Sequence, residues 1–178
     1  MDIWIDADYA DEFAVVAAWL GVLVPWNITY FAPPGLGNFL FVRFPLFQVR
    51  YAFGNPISQA ILLKSAPGAL IYQTGGSLFA EAYRAWVAGA IIFGIAVLLS
   101  LALYFGDDRL SALSTDFSRV MGWLILAAGI ALTVSSYHLM TPSFSGGGVV
   151  YIPIPLGLLG LFALAAILLF VERRSNCT

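Results

Sequence analysis

The stretch Ala85–Phe105, AWVAGAIIFGIAVLLSLALYF, runs from end to end without a charged residue. A helix that crosses the hydrocarbon core of a bilayer needs about 20 largely apolar residues. Lipid cannot satisfy backbone N–H and C=O groups, whereas a helix satisfies its own. This stretch therefore predicts a membrane-spanning helix and indicates an integral membrane protein.

Three further apolar runs have a similar length. Phe13–Phe31 contains no charged residue, Val120–Met140 contains one histidine, and Ile152–Val171 is followed directly by three charged residues. We expect Pro25 to kink the first run, because proline removes a helical hydrogen bond. The sequence predicts an all-α membrane protein, a four-transmembrane-helix bundle forming a single domain over residues 1–178. Its spans are expected at about 13–31, 85–105, 120–140 and 152–171.

The composition agrees with a membrane protein. Of the 178 residues, 61% are hydrophobic and 10% are charged, whereas soluble domains carry about 25% charged residues. A net charge of −2 gives no reason to expect a nucleic-acid partner. Lys64 is the only lysine, every other basic residue is arginine, and aspartate outnumbers glutamate, a bias that indicates a host living in high salt. Cys177 has no second cysteine to pair with, which excludes an intrachain disulfide.

The orientation follows from where the basic residues lie. With four spans the two termini share a side, and the basic residues divide equally between that side and the other. Those on the terminal side lie in short segments beside helix ends, where they influence topology most. We therefore expect a multi-pass protein of the cell membrane with both termini cytoplasmic. The two sets are Arg109, Arg119, Arg173 and Arg174 on the terminal side, and Arg43, Arg50, Lys64 and Arg84 on the other.

Residues 32–81, between the first two spans, predict a small strand-containing extracytoplasmic cap. Asn38–Phe53, NFLFVRFPLFQVRYAF, is rich in residues that favour strands. Pro45 rules out a continuous central strand but suits an edge strand or a bend between two strands. Ile57–Ser65, which follows Pro56, predicts a short helix. We expect the cap to pack on the outer ends of the bundle, because so many aromatic side chains would not stay exposed to water.

The sequence contains no recognisable catalytic, cofactor-binding or metal-ligating set of residues. No Asp, Glu, Lys or Arg lies near the middle of any predicted span, although such buried charges usually mark function in membranes. His138 is the only histidine and cannot build a metal site alone. Arg84 can pair with Glu81 three residues earlier, or it can meet a lipid phosphate. Arg43 and Arg50 are candidates for lipid headgroups, a partner or an anionic ligand, with a solvated or phosphate-facing pair favoured.

Small residues recur at four-residue spacing along the predicted helices. Ala17 and Gly21, Ala85 and Gly89, and Ala90 and Gly94 are examples. Such spacing lets two helices approach closely. We expect Gly21, Gly89 and Gly94 to be sites of helix packing, either within the bundle or at a homodimer face.

Two resemblances bear on the class of protein. ADEFAVVAAWLGVLVP at Ala10–Pro25 and FLFVRFPLFQVRYAFG at Phe39–Gly54 resemble a family of four-span membrane proteins from halophilic archaea. That family brings no assigned activity. By architecture alone, the predicted layout is similar to that of claudin-type tetraspan proteins. Those carry a tryptophan and paired cysteines in the first loop, and residues 32–81 contain neither residue type.

The leading functional hypothesis is a non-enzymatic accessory, scaffold or interaction protein. Its expected partners are membrane lipids and a protein partner or a second copy of the chain, with no cofactor. The alternative is an oligomeric channel or transport component for a small solute, because a pore can be lined by hydroxyls and backbone carbonyls. An intramembrane enzyme is the least favoured of the three.

Overall fold

A computed structural model describes residues 10–32, 37–54, 60–71, 78–105, 117–140 and 150–170. Across these residues the chain forms five helices and one five-stranded antiparallel sheet. The helices are α1 (Ala10–Leu23), α2 (Ala66–Ile71), α3 (Leu78–Phe105), α4 (Phe117–Met140) and α5 (Leu158–Phe170). The strands are β1 (Asn27–Ala32), β2 (Asn38–Arg43), β3 (Phe47–Phe53), β4 (Ile61–Ser65) and β5 (Val150–Ile154).

The prediction of an all-α bundle with four transmembrane helices is wrong. Two of the described helices are long and apolar enough to cross a membrane, over Phe79–Ala102 and Phe117–Met140. They correspond to the second and third predicted spans. The first and fourth predicted spans each divide into a shorter helix and a strand, and these two strands belong to the sheet.

The first predicted span ends early because of its proline. Helix α1 stops at Leu23, and β1 begins at Asn27. Pro25 lacks the N–H that would continue the helix and biases the residue before it toward extended conformations. The sequence that follows, NITYFA, contains β-branched and aromatic residues that suit a pleated surface. Pro25 therefore terminates the helix instead of kinking it.

The fourth predicted span divides in the same way. Residues 150–154 form β5, and α5 begins only at Leu158. Pro153 and Pro155 keep this segment extended, since each fixes φ and removes a donor. Both short helices are continuous along the chain with a strand, α1 with β1 and α5 with β5.

The strands on either side of Pro45 are confirmed, and the expected helix after them is wrong. The backbone turns at Phe44, Pro45 and Leu46, where the Phe44 N–H donates to the Phe47 carbonyl over 2.8 Å. Residues 61–65 of the expected helix form β4, and residues 57–59 lie outside the described residues. The short helix is α2, which has Pro67 in its first turn, a position that tolerates a missing N–H.

The sheet has the strand order β4-β3-β2-β1-β5. The first four strands form a meander, and β5 pairs with the free edge of β1, bringing Ile154 opposite Ile28. Side chains alternate between two faces. The inner face packs on α3 and α4 and carries one polar row across four strands: Asn27, Arg43, Gln48 and Lys64. We call the opposite side the outer face.

The helical core lies between α3 and α4, with α1 and α5 packed beside them. Phe93, Ile125 and Leu132 are fully buried there. The link before α5 passes directly against the link after α1. A Cβ at Gly157 would overlap the carbonyl oxygen of Pro25 and would lie 2.8 Å from Val24 Cγ1. Only glycine permits this close approach of two backbones.

Candidate functional site: a buried arginine cluster beneath an apolar sheet face

Arg43, the last residue of β2, is the centre of a buried polar cluster and is 3% exposed. One guanidinium nitrogen, Nη1, donates to Asn27 Oδ1 at 3.0 Å and to Thr29 Oγ1 at 2.5 Å. The other, Nη2, donates to the Tyr83 hydroxyl of α3 at 3.2 Å. The pairing of β1 with β2 places Asn27 directly opposite Arg43, and strand alternation brings Thr29 to the same face. The planar fork of the guanidinium matches several acceptors at once.

The cluster also reaches α4. The Thr29 hydroxyl donates to Asn27 Oδ1 over 2.7 Å, and Asn27 Nδ2 lies 3.5 Å from Ser136 Oγ. One residue earlier on α4, the Ser135 hydroxyl donates to the Ala82 carbonyl of α3 over 2.7 Å. We refer to Asn27, Thr29, Arg43, Tyr83 and Ser136 as the Arg43 cluster. It joins β1, β2, α3 and α4 through side-chain contacts, and its role is to position the sheet on the helices.

Two tryptophans hold the tip of the β2–β3 hairpin. Trp86 Nε1 lies 3.1 Å from the Phe44 carbonyl oxygen and 2.9 Å from that of Pro45, and donates between them. Trp26 Nε1 donates to the same Phe44 carbonyl over 3.2 Å. Both indole rings are fully buried, with centroids 6.3 Å apart. The turn that Pro45 creates is therefore clamped between α3 and the segment that leads into β1.

The three arginines predicted as lipid or partner contacts have different surroundings. Arg43 is buried within the protein and is not at the surface where we expected it. Arg50, on the inner face, is half-buried, with its Cζ 5.8 Å from the centroid of the Phe39 ring. Arg84 is exposed on α3 and pairs with Glu81 at 2.6 Å, so the predicted ion pair is confirmed. The structure does not bring the three together into one site.

Of the three glycines predicted at helix contacts, two lie in tight packing. A Cβ at Gly21 would lie 2.5 Å from Phe93 Cζ, and one at Gly89 would lie 3.2 Å from Leu132. A Cβ at Gly94 would meet nothing within 4 Å, so Gly94 makes no close helix contact within the chain, and the alternative of a homodimer face stays a prediction. Sequence reasoning missed Gly157, where the backbone passes close to that of Pro25; the sequence signal was a glycine two residues after Pro155, which marks a break before the last helix.

The outer face carries two complete rows of side chains that run across all five strands. The row nearer the helices is entirely aliphatic: Ile28, Val42, Val49, Leu63 and Ile154. The next row contains aliphatic residues and tyrosine: Tyr30, Leu40, Tyr51, Ile61 and Ile152. Sequence reasoning missed this face because it needs the register of the strands. The period-2 alternation of NITYFA, with Asn27 and Thr29 against Ile28 and Tyr30, was the available signal.

The long helices expose much of their apolar surface. Only 28% of the most apolar stretch of α3 is buried inside the protein, and only 39% of the corresponding stretch of α4. Large side chains face outward on both helices, among them Leu98 at 66% and Trp123 at 62% exposed. Between α1 and the end of α3 lies an apolar groove of about 250 Å³, lined by Val15, Trp19, Leu101, Tyr104 and Phe105.

Partial burial and the nearby positive charge of Arg50 lower the pKa of Lys64 from its ordinary value. Among the residues described, there is no group of three or more His, Cys, Asp or Glu side chains placed to hold a metal ion.

The sequence model of DUF7549, a family of unknown function, matches residues 3–173. The chain belongs to this family. The DUF7549 match includes every described helix and strand, so the Arg43 cluster and both faces of the sheet lie inside the family region. A halophilic archaeal host stays a prediction. The claudin-type layout required four spanning helices, and two of the described helices are long and apolar enough to cross a membrane. No curated protein matches the chain.

Proposed function

We propose that this DUF7549 protein is a membrane protein that acts by contact, as an accessory or scaffold component, and not by catalysis. The observation that carries the proposal is the exposed apolar surface of α3 and α4. Leu98 and Trp123, together with Ile91 at 60% and Ile130 at 53% exposed, would all face water in a soluble monomer. Contiguous apolar surface on this scale marks a membrane or protein interface.

In the proposed arrangement α3 and α4 cross the bilayer, and the sheet lies at one of its surfaces. The 24-residue apolar segment of each helix is about 36 Å long at 1.5 Å per residue, enough for a hydrocarbon core of about 30 Å. The buried side chains at mid-depth are apolar, including Phe93, Ile125 and Ala128. An apolar interior supports a structural role over a polar conduction path.

The hydrogen bonds of the Arg43 cluster support a role in protein or lipid contact and not in catalysis. A charged group buried in protein is costly unless hydrogen bonds satisfy it, and Arg43 is occupied by Asn27, Thr29 and Tyr83. A guanidinium held in this way fixes the sheet relative to α3 and is not poised to meet a substrate. Glu81 and His138 lie in the first turn of α3 and the last turn of α4, outside the mid-membrane positions where ion or proton relays are built.

The proposal includes a cell-membrane location in an organism living in high salt, with both termini cytoplasmic. The single lysine among eight basic residues supports the host. The arginines beside predicted helix ends support the orientation.

Membrane fractionation tests the location. Tagged protein should sediment with the membranes, remain there through high salt and alkaline carbonate, and require detergent for release. An unrelated soluble protein with the same tag should be removed by the carbonate wash. Recovery of the DUF7549 protein in the carbonate supernatant would contradict the proposal.

Complementation of a deletion strain tests the non-catalytic role. His138→Gln and Glu81→Gln should each restore the wild-type phenotype, because neither side chain is expected to carry chemistry. Protein level in the membrane fraction is measured in parallel to exclude loss by degradation. Loss of complementation by His138→Gln at normal protein level would show that the role depends on an ionisable group.

A further inference from the structure

The charged side chains of the sheet lie on its inner face, against the helices, and the exposed apolar side chains lie on its outer face. The three charged residues of the five strands, Arg43, Arg50 and Lys64, all lie on the inner face. The outer face instead presents two full rows of aliphatic residues and tyrosine. Four of these side chains are strongly exposed: Leu63 at 65%, Ile61 at 62%, Ile152 at 50% and Ile154 at 44%. A sheet that faces water on one side normally carries polar residues there.

The two strands at the β5 edge continue the exposed surface of the short helices. Helix α1 leads into β1 through residues 24–26, β5 leads into α5 through residues 155–157, and β1 and β5 pair with each other. Along β5 and α5 the exposed apolar side chains follow one another from strand to helix: Ile152, Ile154, Leu156 and Leu159. On the neighbouring path, Leu20 and Leu23 are exposed at the end of α1, and Ile28 of β1 is half-buried opposite Ile154. The outer face is therefore one surface with the outward sides of α1 and α5.

Helix length gives the depth at which this surface lies. Helix α1 has 14 residues and α5 has 13, or about 21 and 20 Å at 1.5 Å per residue. A bilayer core is about 30 Å thick, so each helix is shorter than the core by roughly 10 Å. The acidic residues Asp11 and Glu12 lie in the first turn of α1, at the end of the helix remote from the sheet. The missing length is that of about three extended residues, which is the length of the links 24–26 and 155–157. The first outer row comes next, at Ile28 and Ile154, and so lies at the edge of the hydrocarbon core.

We propose that the outer face of the sheet lies against lipid, at the boundary between acyl chains and headgroups. This inference rests on the membrane location proposed above. Its first row lies where the lipid-facing surface of α1, α5 and their links ends. Its second row, about 7 Å further along the strands, contains Tyr30 and Tyr51, and tyrosine favours the headgroup level.

The open edges of the sheet limit how deeply it can lie in the bilayer. Open sheet edges do not occur in the hydrocarbon region, because their N–H and C=O groups would find no partner. At the headgroup boundary, water and lipid polar groups supply those partners. Pro153 in the edge strand β5 also removes one N–H that would otherwise need one. The graded composition and the continuity with α1 and α5 favour lipid over a second copy of the chain.

Spin labels on single cysteines test the inference in vesicles of phosphatidylcholine and phosphatidylglycerol. In a Cys177→Ser background, labels are placed at Ile154→Cys and Leu63→Cys on the outer face. Lys64→Cys, adjacent to Leu63 on the inner face, is the matched control, and Leu98→Cys reports on α3. Power saturation compares collisions with oxygen, which concentrates in lipid, against collisions with a water-soluble nickel chelate.

We expect the oxygen-to-nickel collision ratio to be several-fold higher at Ile154 and Leu63 than at Lys64, and highest at Leu98. Nickel accessibility at Ile154 and Leu63 with a lipid-like Leu98 would overturn the inference and leave the membrane location intact. Shielding of both outer-face sites from both reagents, with spin–spin broadening that grows with protein density, would assign the face to a second copy and also overturn it. A water-like Leu98 would overturn the membrane location itself.

Discussion

At the scale of single residues, the hydrogen bonds of Arg43 predict a large effect of its removal. Arg43→Leu removes the donor to Thr29 Oγ1 and to the Tyr83 hydroxyl, whereas Asn27 Oδ1 still accepts from the Thr29 hydroxyl. One buried unsatisfied polar group costs roughly 1–3 kcal/mol. Arg43→Lys should recover little, because a single ammonium cannot replace a planar fork. The free energy of unfolding in detergent, followed by circular dichroism, measures both. Arg84→Leu is the control, since an exposed ion pair contributes about 1 kcal/mol or less; equal losses at the two arginines would contradict the prediction.

Gly157 and Gly94 should respond in opposite directions to the same change. Gly157→Ala forces a Cβ into the Pro25 backbone, which cannot move without displacing the start of β1. Gly94→Ala meets open space within α3 and gains up to about 1 kcal/mol of helix propensity. Thermal unfolding should show a lower midpoint for Gly157→Ala and an unchanged or higher one for Gly94→Ala. A stable Gly157→Ala variant would show that the two links are not in close contact.

Lys64 predicts how stability depends on pH. Its folded-state pKa lies below the ordinary value of 10.5, because of partial burial and the charge of Arg50. Between the folded and unfolded pKa values the unfolded chain binds more protons, so the free energy of unfolding rises as the pH climbs toward 10.5. The Lys64→Met variant should lack this contribution. The difference between wild type and variant, measured against pH, isolates it, and parallel curves would contradict the prediction.

At the scale of elements, the clamp on the β2–β3 hairpin is the contact to test. Trp86→Phe keeps a ring but removes the N–H that serves the Phe44 and Pro45 carbonyls. The Phe44 carbonyl keeps the Trp26 N–H, so the Pro45 carbonyl is the acceptor that loses its donor. We expect a loss of about 1–3 kcal/mol in the free energy of unfolding, the cost of one unsatisfied buried acceptor. Trp123→Phe is the matched control, because Trp123 is exposed on α4 and should change stability little. Equal effects would mean that the indole N–H of Trp86 does not hold the hairpin.

Some of these helices and strands could be predicted from the sequence, and others could not. Helices α3 and α4 and the strands around Pro45 were predictable, because long apolar runs and a proline between aromatic residues are local signals. The strands Asn27–Ala32 and Val150–Ile154 were not, since a short apolar run beside a helix has the same hydropathy as more helix. Their pairing joins opposite ends of the chain, and no local pattern reports it. The burial of Arg43 depends on the register between β1 and β2 and on its contact with α3, and it was missed because β1 was predicted as part of a helix.

At the scale of the whole molecule, chemical labelling tests the orientation. The native Cys177 reports on the C-terminus, and Asn38→Cys in a Cys177→Ser background reports on an exposed position of the sheet. With a membrane-impermeant maleimide on intact cells, we expect Asn38→Cys to react directly and Cys177 to react only after permeabilisation. The reverse pattern would invert the proposed orientation. Labelling of both from outside would place the sheet and the C-terminus on one side.

The pairing of β5 with β1 has a consequence for the order of events during synthesis. Strands β1–β4 leave the ribosome together and can pair as a meander, but one edge of β1 stays open until residues 150–154 emerge, after α3 and α4 have been made. At roughly 5–20 residues per second this interval is on the order of ten seconds. An open strand edge is a template for pairing with other chains. During this interval the edge of β1 in the nascent protein is open to pairing with other chains. We expect insertion machinery or a chaperone to shield β1 until β5 has been synthesised.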